Sequence, residues 1–200
     1  MGEAAWQDDY EILTELIDGK IVMMSPRPRI THNDVAGAIY TIFRTALRGK
    51  RCRAFPDGTE VHLDEKNHFV PDVMIVCDPS QIKETYIEGA PTLVVEVLSP
   101  STQLRDRTVK MQTYGAAGVK EYWIVDTISK YVEVYRQKDG QLMPFRVYTF
   151  YTPEEIAKNE TLSDDFRLSK EDMEQEIRVD YCGGFSVPLA DVFEGTAGFF

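Results

Sequence analysis

The sequence predicts an α/β fold, in which a mixed β-sheet is flanked by helices. A segment with helical spacing of apolar residues precedes several short apolar runs, and a second such segment separates these runs from a further group. The 200 residues, of which 43% are hydrophobic and 28% are charged, are sufficient for one domain with a substantial core. The strand order does not follow from these patterns.

Short strands account for most of the predicted elements. The pair Asp18-Gly19 is typical of a tight turn and predicts a β-hairpin near the N-terminus. Turn residues such as Pro79 and Pro91 separate the apolar runs that follow. The predicted strands cover residues 10–16, 21–24, 61–63, 68–76, 92–98, 122–125, 131–135 and 142–151.

Two longer helices and one short helix complete the predicted elements. Apolar residues recur at helical spacing over residues 35–47, and Gly49 follows as a helix end. A second helix is predicted up to Ala117, where Gly118 ends it. A third begins at Pro153. The predicted N-terminal caps are Thr31 or Asn33, Ser101 and Thr152.

Acidic residues occur at two places where apolar strands are predicted. Glu96 follows Val94 and Val95 within one strand, and Asp72 immediately precedes the apolar run 73–76. Because desolvating an isolated carboxylate costs several kcal/mol, such a residue needs a partner, a cation or an altered pKa. Alternation along the strand places Glu96 on the same face as Val94. Two acids on neighbouring strands are typical of a site for a hard divalent cation.

The net charge of −11 is unevenly distributed along the chain. Residues 27–53 contain seven basic residues and one acidic residue, whereas twelve acidic and four basic residues follow from Phe150 onward. The basic segment either contacts phosphate groups or complements the C-terminal end of the first helix, and the sequence leaves both interpretations open.

Cysteine usage and hydropathy indicate a reducing, cytoplasmic location. Cys52, Cys77 and Cys182 form no closely spaced pair, and an odd number favours free thiols. His62 and His68 have no zinc-ligand spacing with these cysteines. No apolar run approaches the ~20 residues of a membrane span, and no secretion signal is recognisable.

Several motifs in this order resemble those of a known enzyme family. Pro71-Asp72, followed by Glu96-Val97-Leu98, resembles the metal site of the PD-(D/E)XK nuclease superfamily. More closely, the chain resembles the Uma-type family of putative restriction endonucleases. The matching residues are Glu15 to Gly19, Met24-Ser25-Pro26, His32, Pro71-Asp72-Val73, Glu96 to Thr102, Asp106, Lys110, Tyr114, Gly118 to Asp126 and Pro188 to Phe193.

The resemblance implies a restriction-endonuclease-like mixed β-sheet core flanked by helices, with extra N-terminal and C-terminal β-strands. Residues 1–200 are then a single endonuclease-like domain. Its core covers about residues 10–150, and residues 151–200 form an acidic C-terminal extension without an assigned role.

The resemblance also implies a catalytic site for phosphodiester hydrolysis. Asp72 and Glu96 would hold Mg²⁺, or Mn²⁺ as a substitute, with the carbonyl of Val97 as a further ligand. Superfamily members usually carry a lysine two residues after the glutamate, but Leu98 occupies that position here. The resemblance suggests that Lys110 supplies the ammonium from the following helix. The alternative is that Lys110 forms an ordinary surface pair with Asp106 four residues earlier.

Three further residues are candidates for the same site. Glu15 would be an outer acid, with a solvent-facing strand position as its alternative. Glu60 is a weaker candidate because only its place before the Asp72 strand supports it. His32 would contact a phosphate at a helix N-terminus, or it would be a packed or capping residue.

The resemblance therefore implies a cytoplasmic, Mg²⁺-dependent endonuclease that acts on DNA, works as a homodimer and does not bind membranes. One alternative is a catalytically inactive nuclease-like fold that binds nucleic acid or protein. Another is an α/β domain in which Asp72 and Glu96 make only structural hydrogen bonds.

Overall fold

Two mixed β-sheets pack against each other in the computed structural model, which describes residues 14–24 and 28–194. The strands are β1 (Thr14–Ile17), β2 (Lys20–Met23), β3 (Arg53–Pro56), β4 (Glu60–Asp64), β5 (Asn67–Phe69), β6 (Val73–Val76), β7 (Tyr86–Glu88), β8 (Leu93–Val97), β9 (Glu121–Asp126), β10 (Tyr131–Lys138), β11 (Gln141–Thr149), β12 (Glu176–Val179) and β13 (Phe185–Pro188). The larger sheet has the order β11-β10-β9-β8-β6-β3, and the smaller has the order β2-β1-β5-β4-β7. Strands β12 and β13 form a separate hairpin.

Helices lie between and around these strands. They are α1 (Ile30–Ala46), α2 (Gln103–Arg105), α3 (Met111–Ala117), α4 (Pro153–Glu160) and α5 (Leu189–Phe193), with a 3₁₀ turn at Pro79–Gln81. A π-helical turn, Asp106–Lys110, joins α2 to α3 in one continuous helical segment. Gly118 follows this segment with φ of 102°, which is the helix end that the sequence predicts.

The six-stranded sheet separates two apolar cores. On β8, the side chains of Val95 and Val97 enter the core that α1 covers, whereas Val94 enters the core shared with the five-stranded sheet. This alternation confirms the prediction that Glu96 and Val94 lie on one face. Glu96 therefore projects between the two sheets.

The C-terminal extension packs against the α1 side of the larger sheet. Ile177 and Val179 of β12, Val187 of β13 and Val192 of α5 are buried in the same core as α1. The predicted short helix begins at Pro153, where Thr152 and Glu155 form a reciprocal capping box. The extension thus covers an apolar surface that α1 alone leaves open.

Several element boundaries differ from the predictions, and strands β3, β7, β12 and β13 were not predicted from the apolar runs. Three of the differences concern elements beside the cavity described below. Helix α1 begins at Ile30, because the carbonyl of Arg29 already accepts the first helical hydrogen bonds from His32 and Asn33. Thr102 rather than Ser101 precedes α2. The run 68–76, predicted as one strand, is divided between β5 and β6, which belong to different sheets. The predicted strand residues 10–13 and the motif residues Ser25 and Pro26 lie outside the described part of the chain.

Cysteine pairing corrects the expectation of three free thiols. Cys52 precedes β3 and Cys77 follows β6, and these antiparallel strands place the two residues opposite each other in a disulfide. Cys182 is free and buried, and burial raises its pKa to about 12. The cysteines therefore no longer support the inference of a reducing compartment. Within the described residues, no helix has the length and hydropathy needed to cross a bilayer.

Candidate active site

A cavity of about 330 Å³ opens between the two sheets beside the N-terminus of α1. Strand β8, the segment before β6, strand β1 and the helical segment after β8 all contribute side chains to it. The lining residues are Glu15, Met24, Pro28, Arg29, His32, Asp57, Val70, Asp72, Glu96, Val97, Ser99 to Thr102, Arg105, Asp106 and Lys110.

Glu96 reaches this cavity because of its position near the end of β8. Strand β8 is hydrogen-bonded on both sides, to β6 and β9, so its backbone has little freedom to move. The hydroxyl of Tyr114 donates to Glu96 Oε1 at 3.3 Å, which fixes the carboxyl group from the helical side. Tyr114 is fully buried, so the same side chain belongs to the core and to this site.

Lys110 lies at the centre of a buried acid cluster, defined here as Glu15, Glu96 and Asp106. The lysine Nζ lies 2.7 Å from Glu96 Oε1, 3.1 Å from Glu15 Oε1 and 3.6 Å from Asp106 Oδ1. Each of these side chains is at most 5% exposed. The exposed surface pair that the sequence allowed for Asp106 and Lys110 is not formed, because both side chains are buried.

Asp72 borders the same cavity from the segment before β6. Its Oδ2 accepts a 2.6 Å hydrogen bond from the backbone N–H of Val97, and its Oδ1 lies 3.4 Å from Nε2 of His32. Burial alone would lower the pKa of His32, but the hydrogen bond and charge of Asp72 outweigh it and raise the pKa. His32 thus contacts one oxygen of Asp72, and the backbone N–H of Val97 holds the other.

Glu15 comes from β1, in the other sheet, and ties that sheet to the cluster. Its Oε1 accepts from the backbone N–H of Val70 at 3.2 Å, and its Oε2 lies 3.5 Å from Nη1 of Arg105. The structure therefore places Glu15 in a buried position within the site, whereas the sequence left a solvent-facing position equally open.

Asp106 is a member of the cluster that sequence reasoning did not assign to the site. It is 2% exposed, and its Oδ1 is buried without a hydrogen-bond partner among the described residues. The sequence feature that could have assigned Asp106 to the site is its position four residues before Lys110. The π-helical turn that contains both residues is a feature that often marks functional sites, but the sequence did not predict it.

Burial favours the protonated form of two members of the cluster, Glu96 and Asp106. Burial raises the pKa of Glu96 well above its usual value; Lys110 opposes this effect, and the surrounding carboxylates reinforce it. Burial would lower the pKa of Lys110, but the charges of Glu96, Glu15 and Asp106 raise it well above the ordinary value. Burial also raises the pKa of Asp106. The cavity is lined by five carboxylates (Glu15, Asp57, Asp72, Glu96 and Asp106) and by three residues with permanently charged basic groups and one histidine (Arg29, Arg105, Lys110 and His32).

Glu60 lies outside this group. It is not among the residues that line the cavity, and its Oε2 lies 2.9 Å from His62 on the same strand. Strand β4 directs Val61 into the core between the sheets and therefore directs Glu60 to the opposite face. The position of Glu60 before the Asp72 strand was not sufficient to place it near Asp72, because β4 and β6 belong to different sheets.

The basic segment surrounds a second cavity at the other end of α1. Five exposed basic residues line this cavity of about 380 Å³: Arg44, Arg48, Lys50, Arg51 and Arg53. Since α1 has 17 residues, the two cavities lie at opposite ends of a helix ~25 Å long.

The mixed sheets, the flanking helices and the carboxylates at the strand ends define an α/β protein of the restriction-endonuclease-like fold. The chain belongs to the Uma2 family, described as putative restriction endonucleases, whose model matches residues 4–171.

Two individual proteins are similar to this chain. An uncharacterised protein of Synechocystis sp. (slr1290) is 30% identical over 136 residues, which cover 67% of this chain and 71% of that protein. The crystal structure of a putative nuclease of the DUF820 group from Anabaena variabilis matches with a TM-score of 0.57 and 22% identity. That match covers 82% of this chain and 90% of the Anabaena chain, and it supports the fold.

Proposed function

We propose that this protein is a divalent-cation-dependent endonuclease that hydrolyses phosphodiester bonds in DNA at the cavity between the two sheets. Membership of a restriction endonuclease family supports a nuclease role. The observation that carries the finer proposal is the contact of Lys110 with Glu96 inside an acid cluster that opens to a cavity beside Asp72.

The donor set fits a hard divalent cation. Carboxylate oxygens are the ligands that Mg²⁺ and Mn²⁺ prefer, and the buried Asp106 Oδ1, 3.6 Å from Lys110 Nζ, lacks a hydrogen-bond partner among the described residues. Asp72 and Glu96, with the carbonyl of Val97, would hold the cation. When bound, it would offset negative charge on the phosphate and favour ionisation of the attacking water.

The protein side chains orient the reacting groups. The ammonium group of Lys110 lies between Glu15 and Glu96. Glu15 is held by the backbone N–H of Val70, and Glu96 is held by the hydroxyl of Tyr114. Such a preorganised ammonium stabilises charge that develops on the phosphate oxygens, because it needs no reorganisation during the reaction. Lys110 thereby takes the role of the lysine that superfamily members usually carry on the strand, at the position of Leu98.

Substrate phosphate groups would enter beside the N-terminus of α1. Arg29 and His32 line the cavity there, and the unpaired N–H groups of a helix N-terminus favour anions. The basic cavity at the far end of α1 would contact the DNA backbone away from the cleaved bond, which allows a strongly acidic protein to bind DNA.

A cleavage assay tests this proposal. Purified wild-type protein is incubated with supercoiled, linear and single-stranded DNA in Mg²⁺ or in Mn²⁺. We expect nicking or cleavage that EDTA abolishes and that Asp72→Asn, Glu96→Gln and Lys110→Met each reduce by at least about a hundredfold. Glu60→Gln is the matched acid control and should retain activity.

The other outcomes separate the alternatives. Wild-type protein that binds DNA but leaves every form intact in both cations would favour the inactive, nucleic-acid-binding fold. Wild-type protein that also binds no Mn²⁺ in calorimetry would indicate that Asp72 and Glu96 make structural contacts only. Homodimer formation stays a prediction, which light scattering with and without DNA would test.

A further inference from the structure

We propose that Glu60, His62 and His68 bind one borderline divalent cation, such as Zn²⁺ or Co²⁺, at a site separate from the acid cluster. The three residues are called the outer triad below. One ligand atom from each lies within 4.8 Å of the other two. Two imidazole nitrogens and one carboxylate oxygen form a donor set that suits Zn²⁺ and neighbouring transition metals better than Mg²⁺.

Strand geometry brings the outer triad together. Glu60 and His62 are two residues apart on β4 and so point to the same side, and His62 lies directly opposite His68 on β5. Directly opposed residues of an antiparallel pair have their Cβ atoms ~5 Å apart, which allows two imidazoles to reach one ion. The backbone of the β4–β5 hairpin therefore preorganises all three side chains.

The five-stranded sheet separates the outer triad from the acid cluster. On β1, Leu16 pairs with His68 and shares its face, whereas the neighbouring Glu15 points into the acid cluster. On β4, Val61 is fully buried between the two sheets. The outer triad is thus on the outward face of this sheet.

The local environment of His62 suggests a binding site rather than a satisfied hydrogen-bond network. Its Nε2 is buried and lies 2.9 Å from Glu60 Oε2, yet it makes no aligned hydrogen bond with any described residue. Its ring lies between two others, with centroids 3.8 Å from His68 and 4.1 Å from Tyr86. The stacking places the His62 ring next to that of His68.

Binding requires one local adjustment. The rings of His62 and His68 are parallel to within 4°, whereas an ion lies in the plane of each imidazole that binds it. At least one ring must therefore rotate, and the ligand atoms must approach to roughly 3.4 Å, the separation in a tetrahedral zinc site. The side chains of Glu60 and His62 are 42% and 27% exposed, which leaves room for this rotation and for a solvent ligand at the remaining position.

Titration of the untagged protein with Co²⁺ tests the outer triad, because four-coordinate Co²⁺ absorbs visible light. We expect one equivalent to give this absorption and Zn²⁺ to displace it. His62→Phe and His68→Phe preserve the stacked rings but remove the nitrogen ligands, and each should weaken Co²⁺ binding at least tenfold. Glu60→Gln should weaken it as well.

The chain supplies matched controls for this titration. His32→Phe removes the one histidine that is not in the outer triad, and Asp72→Asn changes the cavity between the sheets. Both variants should therefore leave the visible absorption intact. Thermal unfolding gives a second measurement, in which Zn²⁺ should raise the Tm of the wild type and not that of His68→Phe. Circular dichroism establishes that each variant is folded.

Three results would overturn the proposal. They are the absence of Co²⁺ binding, a spectrum unchanged in the folded His62→Phe and His68→Phe variants, and a thiolate charge-transfer band that Cys182→Ser removes. The outcome is independent of nuclease activity, since His68→Phe should cleave DNA in Mg²⁺ like the wild type. A failed cleavage assay would likewise leave the outer triad unaffected.

Discussion

Two buried glutamates on neighbouring strands of the same sheet have very different surroundings. Glu96 on β8 and Glu121 on β9 are 4% and 0% exposed, and burial raises the pKa of both. Glu121 has a donor for each oxygen, with Trp123 Nε1 at 2.8 Å from Oε1 and Arg136 Nε at 3.0 Å from Oε2. This carboxylate is paired and does not line the cavity between the sheets.

Glu96, in contrast, shares one ammonium with two other acids and faces a cavity. Lys110 contacts Glu96, Glu15 and Asp106 at once, so the negative charge is only partly balanced. The comparison shows that a buried acid does not by itself identify a functional site. The distinguishing features are an excess of acids over bases and access from a cavity, which are the features that we expect of a cation site.

The largest difference between the two glutamates should be in catalysis. Glu96→Gln should reduce DNA cleavage by at least about a hundredfold, because it removes both a cation ligand and the partner of Lys110. Glu121→Gln should change the rate by less than about threefold once the folded fraction is matched. Initial rates on supercoiled DNA measure both, and comparable losses would remove the distinction.

Divalent cations should stabilise the protein by binding at Glu96 and not at Glu121. At a Mn²⁺ concentration one hundred times its Kd, binding to the folded state adds about 2.7 kcal/mol to the free energy of unfolding. Glu121→Gln should retain this gain and Glu96→Gln should lose most of it. Urea unfolding with and without Mn²⁺ provides the measurement. Zn²⁺ is kept at a constant concentration that saturates the outer triad, so that Mn²⁺ binding there does not contribute.

Removal of the paired carboxylate should destabilise the fold. In Glu121→Gln one amide oxygen remains as acceptor, but the amide NH₂ then faces a second donor, so we expect a loss of about 1–3 kcal/mol. Glu96→Gln, measured in EDTA, should cost less, because its ionised form is unfavourable in the folded state. An equal loss in both variants would mean that Glu96 is as well paired as Glu121.

The pH dependence of stability should reveal the raised pKa of Glu96. In EDTA the folded state binds more protons than the unfolded state between pH 4.5, the ordinary value, and the raised pKa. The free energy of unfolding therefore falls as pH rises through this window, by up to about 1.4 kcal/mol per pH unit for one group. The Glu96→Gln variant should show a shallower decline; an identical slope would show that Glu96 ionises normally.

The sequence predicted the fold class, and it identified Glu96 and Lys110 as candidate site residues, which the structure places in contact beside one cavity. Alternation along β8 was enough to place Glu96 between the sheets beside Val94. Lys110 was identified from the family resemblance and from the apolar residue Leu98 at the usual lysine position. The structure brings Lys110 to Glu96, although the catalytic role of the pair stays a prediction.

Other features depend on contacts between distant segments and could not be predicted. The Cys52–Cys77 disulfide follows from the pairing of β3 with β6, and the sequence does not specify this strand order. The burial of Asp106 follows from a π-helical turn that has no sequence signature in this chain. His62 and His68 meet because residues 67–69 form a separate strand, whereas the sequence suggested one continuous strand through residue 76.

A crystal structure in the presence of Mn²⁺, with anomalous scattering used to locate the ion, would show whether the acid cluster and Asp72 form a cation site. We expect a peak between Asp72 and Glu96, at ~2.0–2.2 Å from their oxygens, and none beside Glu121. A well-ordered cavity without a peak at saturating Mn²⁺, with Lys110 still in contact with Glu96, would contradict the claim that the acid cluster is a cation site.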